Sequence, residues 1–348
     1  MSQSRRSFAS DNVAPAAPEV MAALARVNQG TVHSYGDDPE TRRLTGLAQR
    51  TFEAELAIYP VATGTAANAL ALAVLAPPYG GIYCDAVAHV NTDECGAPEF
   101  YAGGAKLLPL TTADGRLRAS QLAAPIAHAR EMGVHHVAPA ALSLSQATEW
   151  GTVYGLQQLR ELTAAAHAHG LSVHMDGARF ANAVAHLGCT PAEASWRSGV
   201  DVLSFGATKN GALAAEAVIF FRADMARDFE LRRKRAGQLW SKLRYMSAQL
   251  TALLEDGLWL RHGRHANALA ARLAQGLQVR GIGLVQPVEA NEVFAVLPAQ
   301  RIAALRAAGF EFYEWPAARP DRQPVVRLVT AYDMVAADVD ALLAALDA

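Results

Sequence analysis

Between residues 56 and 221, short apolar runs alternate with alanine-rich or amphipathic stretches at the spacing of strands and helices. The apolar runs are residues 56–61, 81–84, 106–110, 136–144, 171–175, 200–205 and 217–221. Several lack the period-two alternation of a half-exposed strand, the mark of strands covered on both faces. Residues 66–75, 122–131 and 156–169 carry helical patterns between them. This alternation predicts an α/β domain with a mostly parallel sheet. Upstream, residues 18–27 and 40–52 read as helices. Asp37, Asp38 and Pro39 open the second with capping carboxylates and a proline for the first turn.

Downstream the pattern changes. A long helical region over 225–260 leads to a helix at 264–280 and strands at 284–288 and 293–297. A helix at 299–308, strands at 310–315 and 325–328 and a final helix at 336–348 complete a small α+β unit. The expected organisation is an N-terminal arm (1–29), a large α/β domain (30–250) and a small C-terminal α+β domain (251–348). A cleft between the two domains is the default ligand site.

Composition narrows the function classes. Charged residues make up 18% of the chain and hydrophobic ones 51%, which favours extensive burial, a subunit interface included. A formal net charge of −2 without a long basic run argues against nucleic acid or an anionic membrane as partner. The basic patch Arg232-Arg233-Lys234-Arg235 is short and reads as a solvated or interfacial helix face. No apolar run approaches the roughly 18 residues of a membrane span, and residues 1–10 lack the apolar core of a signal peptide. The three scattered cysteines, Cys84, Cys95 and Cys189, make no CxxC pair, so neither a disulfide framework nor a zinc site is expected. The expected setting is the cytoplasm, with no metal.

The chemistry concentrates in two segments. His174-Met175-Asp176-Gly177-Ala178-Arg179 puts a carboxylate at the end of an apolar run. A carboxylate so placed without a cationic partner is costly; a pyridinium nitrogen, an ion pair with Arg179 or a helix N-cap would each account for it. Ser204-Phe205-Gly206-Ala207-Thr208-Lys209-Asn210-Gly211 follows a second apolar run and sets Lys209 among small residues with no adjacent acid, a confined setting that suits a nucleophilic amine. A carboxylate and a lysine in this arrangement commonly build a pyridoxal 5'-phosphate site. The aldehyde needs an amine to condense with, and the ring nitrogen needs an anion to hold its proton. Thr63-Gly64-Thr65-Ala66-Ala67-Asn68 lies where a strand meets a helix. Its amides and the Thr65 hydroxyl suit a phosphate there, although ordinary strand–helix turns share this composition, and no Walker lysine follows.

With these segments, the chain resembles the threonine aldolase family of fold-type I pyridoxal phosphate enzymes, within the β-eliminating lyase group. The resemblance runs through Phe8-Ala9-Ser10-Asp11, Tyr35-Gly36-Asp37-Asp38-Pro39, residues 63–68, Cys84-Asp85-Ala86-Val87-Ala88-His89, residues 174–179, Thr208-Lys209 and Val326-Arg327-Leu328. It implies cleavage of the Cα–Cβ bond of a β-hydroxy-α-amino acid, threonine or allo-threonine by default, to glycine and an aldehyde. It implies Lys209, His89 and Asp176 as catalytic residues, with His89 stacked on the cofactor ring. Gly64, Thr65, Arg179 and Ser204 join those three as cofactor contacts, and Ser10, Arg179 and Arg327 hold the substrate carboxylate, for which guanidinium forks are suited. It also implies a homodimer or homotetramer with shared active sites. β-Elimination, transamination or racemisation on the same cofactor is the nearest alternative, and a non-catalytic α/β protein the more distant one.

The chain departs from the family pattern in two places. Many members carry a second histidine in a Glu-Asn-Thr-His-Asn segment. Here the stretch reads Ser145-Gln146-Ala147-Thr148-Glu149-Trp150, with Thr148 in the histidine's place, which leaves room for bulkier substrates such as β-phenylserine. The family's glycine run and arginine are replaced by Gly237-Gln238-Leu239-Trp240-Ser241-Lys242, with Lys242 or Arg235 left as the phosphate contact from a neighbouring subunit.

Overall fold

The structure is a computed structural model that describes residues 6–316 and 323–347. The first five residues of the expected arm, residues 317–322 and the last residue of the expected final helix lie outside the described residues. Twelve strands are present among the described residues: β1 (Arg6–Ser7), β2 (Ala57–Val61), β3 (Gly80–Asp85), β4 (Lys106–Leu110), β5 (Ala138–Ser145), β6 (Ser172–Gly177), β7 (Val202–Phe205), β8 (Glu216–Phe220), β9 (Glu292–Val296), β10 (Phe310–Glu311), β11 (Tyr313–Trp315) and β12 (Val325–Val329).

Seven of them form one sheet in the order β2-β8-β7-β6-β5-β3-β4. β8 alone runs against its neighbours; the other pairings in this sheet are parallel. The mostly apolar strands β7 and β8 are buried along their whole length, as a sheet covered on both faces requires. Successive side chains serve opposite cores. Leu203 and Ile219 join Phe52, Phe180 and Trp259 on one face, whereas Val202 and Val218 join the alanine-rich helix Gly64–Leu75 on the other. The Phe180 and Trp259 rings stack with centroids 6.0 Å apart.

The C-terminal unit holds a three-stranded antiparallel sheet, β11-β12-β9. Leu269, Leu273 and Leu277 of the helix Leu258–Val279 pack under it with Val293, Val326, Leu328 and Leu342. The chain's beginning reaches this unit: β1 pairs in parallel with β10, and the fully buried Phe8 sits in its core. The next helix, Pro18–Val27, packs instead on Arg244–Leu254.

Three expectations need correction. The helical region 225–260 is broken into Phe229–Arg235, Arg244–Leu254 and the start of Leu258–Val279. Gly237 and Gly257 take positive φ there and end the helical runs. Residues 284–288 form no strand: Leu284 makes one isolated bridge to Ala295, and Pro287 has no N–H to extend it. Residues 310–315 split into β10 and β11, which serve different partners. The helix Phe180–Leu187, which directly follows Arg179, is an element the sequence reading did not assign.

Candidate active site

The site grows from the carboxyl ends of β5, β6 and β7, the place where an open α/β sheet presents its loops to a ligand. A cavity of about 650 Å³ opens there. Ser10, Gly64, Thr65, His89, Asp176, Arg179, Ser204, Lys209 and Arg327, drawn from six separate stretches of sequence, all line it.

Asp176 is the fifth residue of β6 and is buried. Its Oδ1 accepts the Ala178 amide at 3.0 Å and its Oδ2 accepts Asn68 Nδ2 at 2.8 Å. The same Asn68 amide donates to Glu94 Oε1 at 2.8 Å, and that oxygen meets His89 Nδ1 at 2.8 Å. The hydrogen bond to Glu94 raises the His89 pKa above the ordinary imidazole value in spite of burial. Behind this layer His174 lies fully buried between Ser143 Oγ and Ser204 Oγ, both at 2.9 Å. Burial lowers its pKa to about 4, so it is neutral.

Lys209 sits in the short helical turn Thr208–Asn210 after β7. The buried Glu216 shapes that turn by accepting the Ala207 amide at 2.7 Å and the Thr208 amide at 3.4 Å. The lysine amine has no hydrogen-bond or ion-pair partner among the described residues and faces the cavity. Gly206 lets this loop cross the one after β6: a Cβ at that position would lie 2.4 Å from the Ala178 carbonyl oxygen. Across the cavity, Thr63 caps the helix Gly64–Leu75 by accepting the Ala66 amide at 3.1 Å. The Gly64 and Thr65 amides have no acceptor among the described residues and point along the positive end of the helix dipole.

The arginines are less free than their spacing suggested. Arg179 gives Nε and Nη2 to Asp11 at 2.9 and 3.0 Å and Nη1 to Glu292 at 3.3 Å. Burial opposes its charge, but Asp11 and Glu292 outweigh burial and raise its pKa. Arg327 donates to the Ala9 carbonyl at 3.2 Å, lies 4.8 Å over the Trp315 ring and stands 3.8 Å from Glu292. Its Nε has no partner among the described residues. Glu292 is fully buried, and burial pushes its pKa up against the pull of both arginines. Ser10 Oγ accepts the Asn12 amide at 3.1 Å.

Sequence reasoning missed Asn68, Glu94, Glu149, Glu216, Asp11 and Glu292 as members of this site. Asn68 and Asp11 lay inside quoted motifs, and Glu149 in the departing segment, so each was legible as a residue but not as a contact. Lys242 and Arg235 do not line the cavity of this chain.

Residues 7–300 match the β-eliminating lyase family model. The chain belongs to that family. It is 47% identical over 314 residues to a low specificity L-threonine aldolase of Pseudomonas aeruginosa, covering 90% of both chains. It is 27% identical to the low specificity L-threonine aldolase of Saccharomyces cerevisiae, covering 84% of this chain and 74% of that one. Among solved structures, Leishmania major threonine aldolase superposes with a TM-score of 0.92 at 28% identity over 98% of each chain. Sphingomonas wittichii serine palmitoyltransferase shares the fold with a TM-score of 0.69 at 17% identity.

Pyridoxal phosphate is the cofactor of this family, and the residues present fit it. An unpartnered amine faces the cavity, a buried carboxylate is aimed from a strand end, and two helix N-terminal amides stand open for a phosphate.

Proposed function

We propose that the protein cleaves L-threonine and L-allo-threonine, and bulkier β-hydroxy-α-amino acids such as β-phenylserine, to glycine and an aldehyde. The observation that carries this reading is the convergence of Lys209, Asp176, His89 and Arg327 on one cavity in a chain 47% identical to an L-threonine aldolase. When bound, pyridoxal phosphate supplies an electron sink for the pair released at Cα. Lys209, whose amine faces the cavity, would hold the cofactor aldehyde. Asp176, fixed by Asn68 and the Ala178 amide, keeps the ring nitrogen protonated, and His89 covers the ring. Gly64, Thr65 and Ser204 line the cofactor's side, with the amides of the first two receiving the phosphate. Arg327 takes the substrate carboxylate together with Ser10. Arg179, already committed to Asp11 and Glu292, braces that clamp and the cofactor side more than it binds directly.

We assign residues 1–29 to an arm, 30–250 to the large domain and 251–348 to the small one. The natural assembly under this reading is a homodimer or homotetramer in the cytoplasm, its phosphate site completed by a basic residue of a second copy. No described helix is long and apolar enough to cross a membrane. The deciding experiment is an assay of the purified protein with L-threonine. Acetaldehyde and glycine should form in equal amounts, and Lys209→Ala should abolish both together with the cofactor's visible absorbance band. Ammonia and a keto acid as products would replace this reading with elimination, and a keto acid without ammonia would replace it with transamination.

A further inference from the structure

In the segment where the family's second histidine is missing, the two neighbours Thr148 and Glu149 behave differently. The Thr148 hydroxyl is spent on the cavity wall, 2.7 Å from Thr152 Oγ1 and 3.4 Å from the Asp114 carbonyl. Glu149 lines the same cavity. Its Oε1 accepts the His89 amide at 2.8 Å and Ser145 Oγ at 2.7 Å, which fixes the carboxyl group between the histidine helix and the end of β5. Its Oε2 is buried and has no partner among the described residues. A buried carboxyl oxygen without a partner costs free energy unless something met in the working site satisfies it.

Two of the groups beside Glu149 in the cavity are already engaged by other partners. His89 Nδ1 is held by Glu94 in a bond that favours the imidazolium. Asp176 is engaged by Asn68 and Ala178. Burial pushes Glu149 up to about 7 against the pull of the Ser145 hydroxyl, and the Asp176 charge adds to the rise. Its titratable and charged surroundings are Asp176, Cys84, Tyr154 and Arg179, with His89 in contact through its main-chain amide. A carboxyl group that titrates near neutrality is suited to move a proton in either direction.

We propose that Glu149, through Oε2, is the group that removes the proton of the substrate's β-hydroxyl. The step balances without a further reactant. The carboxylate takes the hydroxyl proton, the O–H electrons form the aldehyde C=O, and the Cα–Cβ pair stays on Cα. One proton equivalent returned to Cα then completes glycine. The proposal rests on the aldolase reading of the cavity. It assigns to a carboxylate a proton transfer for which the Thr148 hydroxyl, held by Thr152 and the Asp114 carbonyl, is not placed.

The test compares wild type with Glu149→Gln, which keeps size and hydrogen bonding and removes the base. Threonine cleavage should fall by about 100-fold or more in kcat. Exchange of the glycine α-proton with deuterated water, which involves no β-hydroxyl, should stay within about threefold of wild type. In wild type, kcat should drop as the pH falls through about 7, and the residual activity of the variant should lose that limb. Carboxyl ¹³C NMR of the protein without cofactor should show a glutamate titrating near neutrality that is absent from the variant, a readout independent of turnover. Unchanged kcat, an unchanged pH limb, or equal loss of cleavage and exchange would overturn the proposal. A wild type that cleaves no threonine at all would instead strike at the aldolase reading. Should Glu149→Gln fail to fold, Glu149→Asp serves: it retains a base on a shorter arm and should shift the pH limb while lowering kcat.

Discussion

At the residue scale, the site's buried histidine shows how environment sets charge. His174 has no carboxylate partner and hydrogen-bonds two serine hydroxyls. Its pKa is lowered from 6.5 to about 4 by burial. The sign of the consequence follows from proton counts. Between these two values the unfolded chain binds a proton that the folded protein refuses, so this residue's contribution is present above about 6.5 and is lost as the pH falls. The full effect is roughly 3 kcal/mol. Glu149 works in the opposite sense over an overlapping range, so the total stability curve hides both. The difference between proteins exposes the histidine: the stability gap between wild type and His174→Gln, by urea denaturation, should narrow by roughly 3 kcal/mol from pH 7 to pH 4. A constant gap would mean that His174 is already charged in the folded state.

At the scale of elements, the site depends on two loops that cross with no room between them. Gly206, after β7, would place a Cβ against the Ala178 backbone, and Gly177, at the end of β6, would place one 2.7 Å from the Ser204 carbonyl oxygen. Gly206→Ala must therefore push the lysine loop away from the aspartate loop. Overpacking of this kind typically costs about 1–3 kcal/mol. Because the displaced atoms carry Lys209 and Asp176, cofactor affinity should fall by about tenfold or more, measured by absorbance titration, while far-ultraviolet dichroism stays that of the wild type. The same loops explain what could be read in advance. Period and composition located the strands that carry Asp176 and Ser204, because strands covered on both faces are mostly apolar and hard to mistake. Asp176 and Lys209 were legible because each breaks an apolar or small-residue context with a charge. Asn68, Glu94 and Glu149 were not, since each acts across a gap in sequence that only the sheet order closes: Asn68 reaches Asp176 over 108 positions. The helix breaks at Gly237 and Gly257 were visible as glycines, but positive φ at each became clear only in the fold.

Over the whole molecule, the contacts of the proposed carboxylate clamp tie the beginning of the chain to its C-terminal unit. Asp11 is held by Arg179 from the large sheet and by Asn291 Nδ2 at 3.0 Å from the segment entering β9. Arg327 on β12 holds the Ala9 carbonyl. Three residues upstream of Asp11, Phe8 is fully buried in the core of the small unit, and its carbonyl accepts the Val329 amide at 2.8 Å. The arm is thus anchored by Phe8 and delivers Ser10 and Asp11 to the cavity as a consequence. Phe8→Ala tests this coupling at a distance from the chemistry. Removing a buried phenylalanine should cost about 3–5 kcal/mol. Because the lost packing lies beside Ala9 and Ser10, the change should also raise KM for threonine by roughly tenfold, equivalent to about 1.4 kcal/mol. kcat should stay near that of wild type, since Lys209, Asp176 and Glu149 are carried by other elements. A variant destabilised to this extent with an unchanged KM would show that the arm stays in place without its anchor, held by the Asp11–Arg179 and Ala9–Arg327 contacts alone.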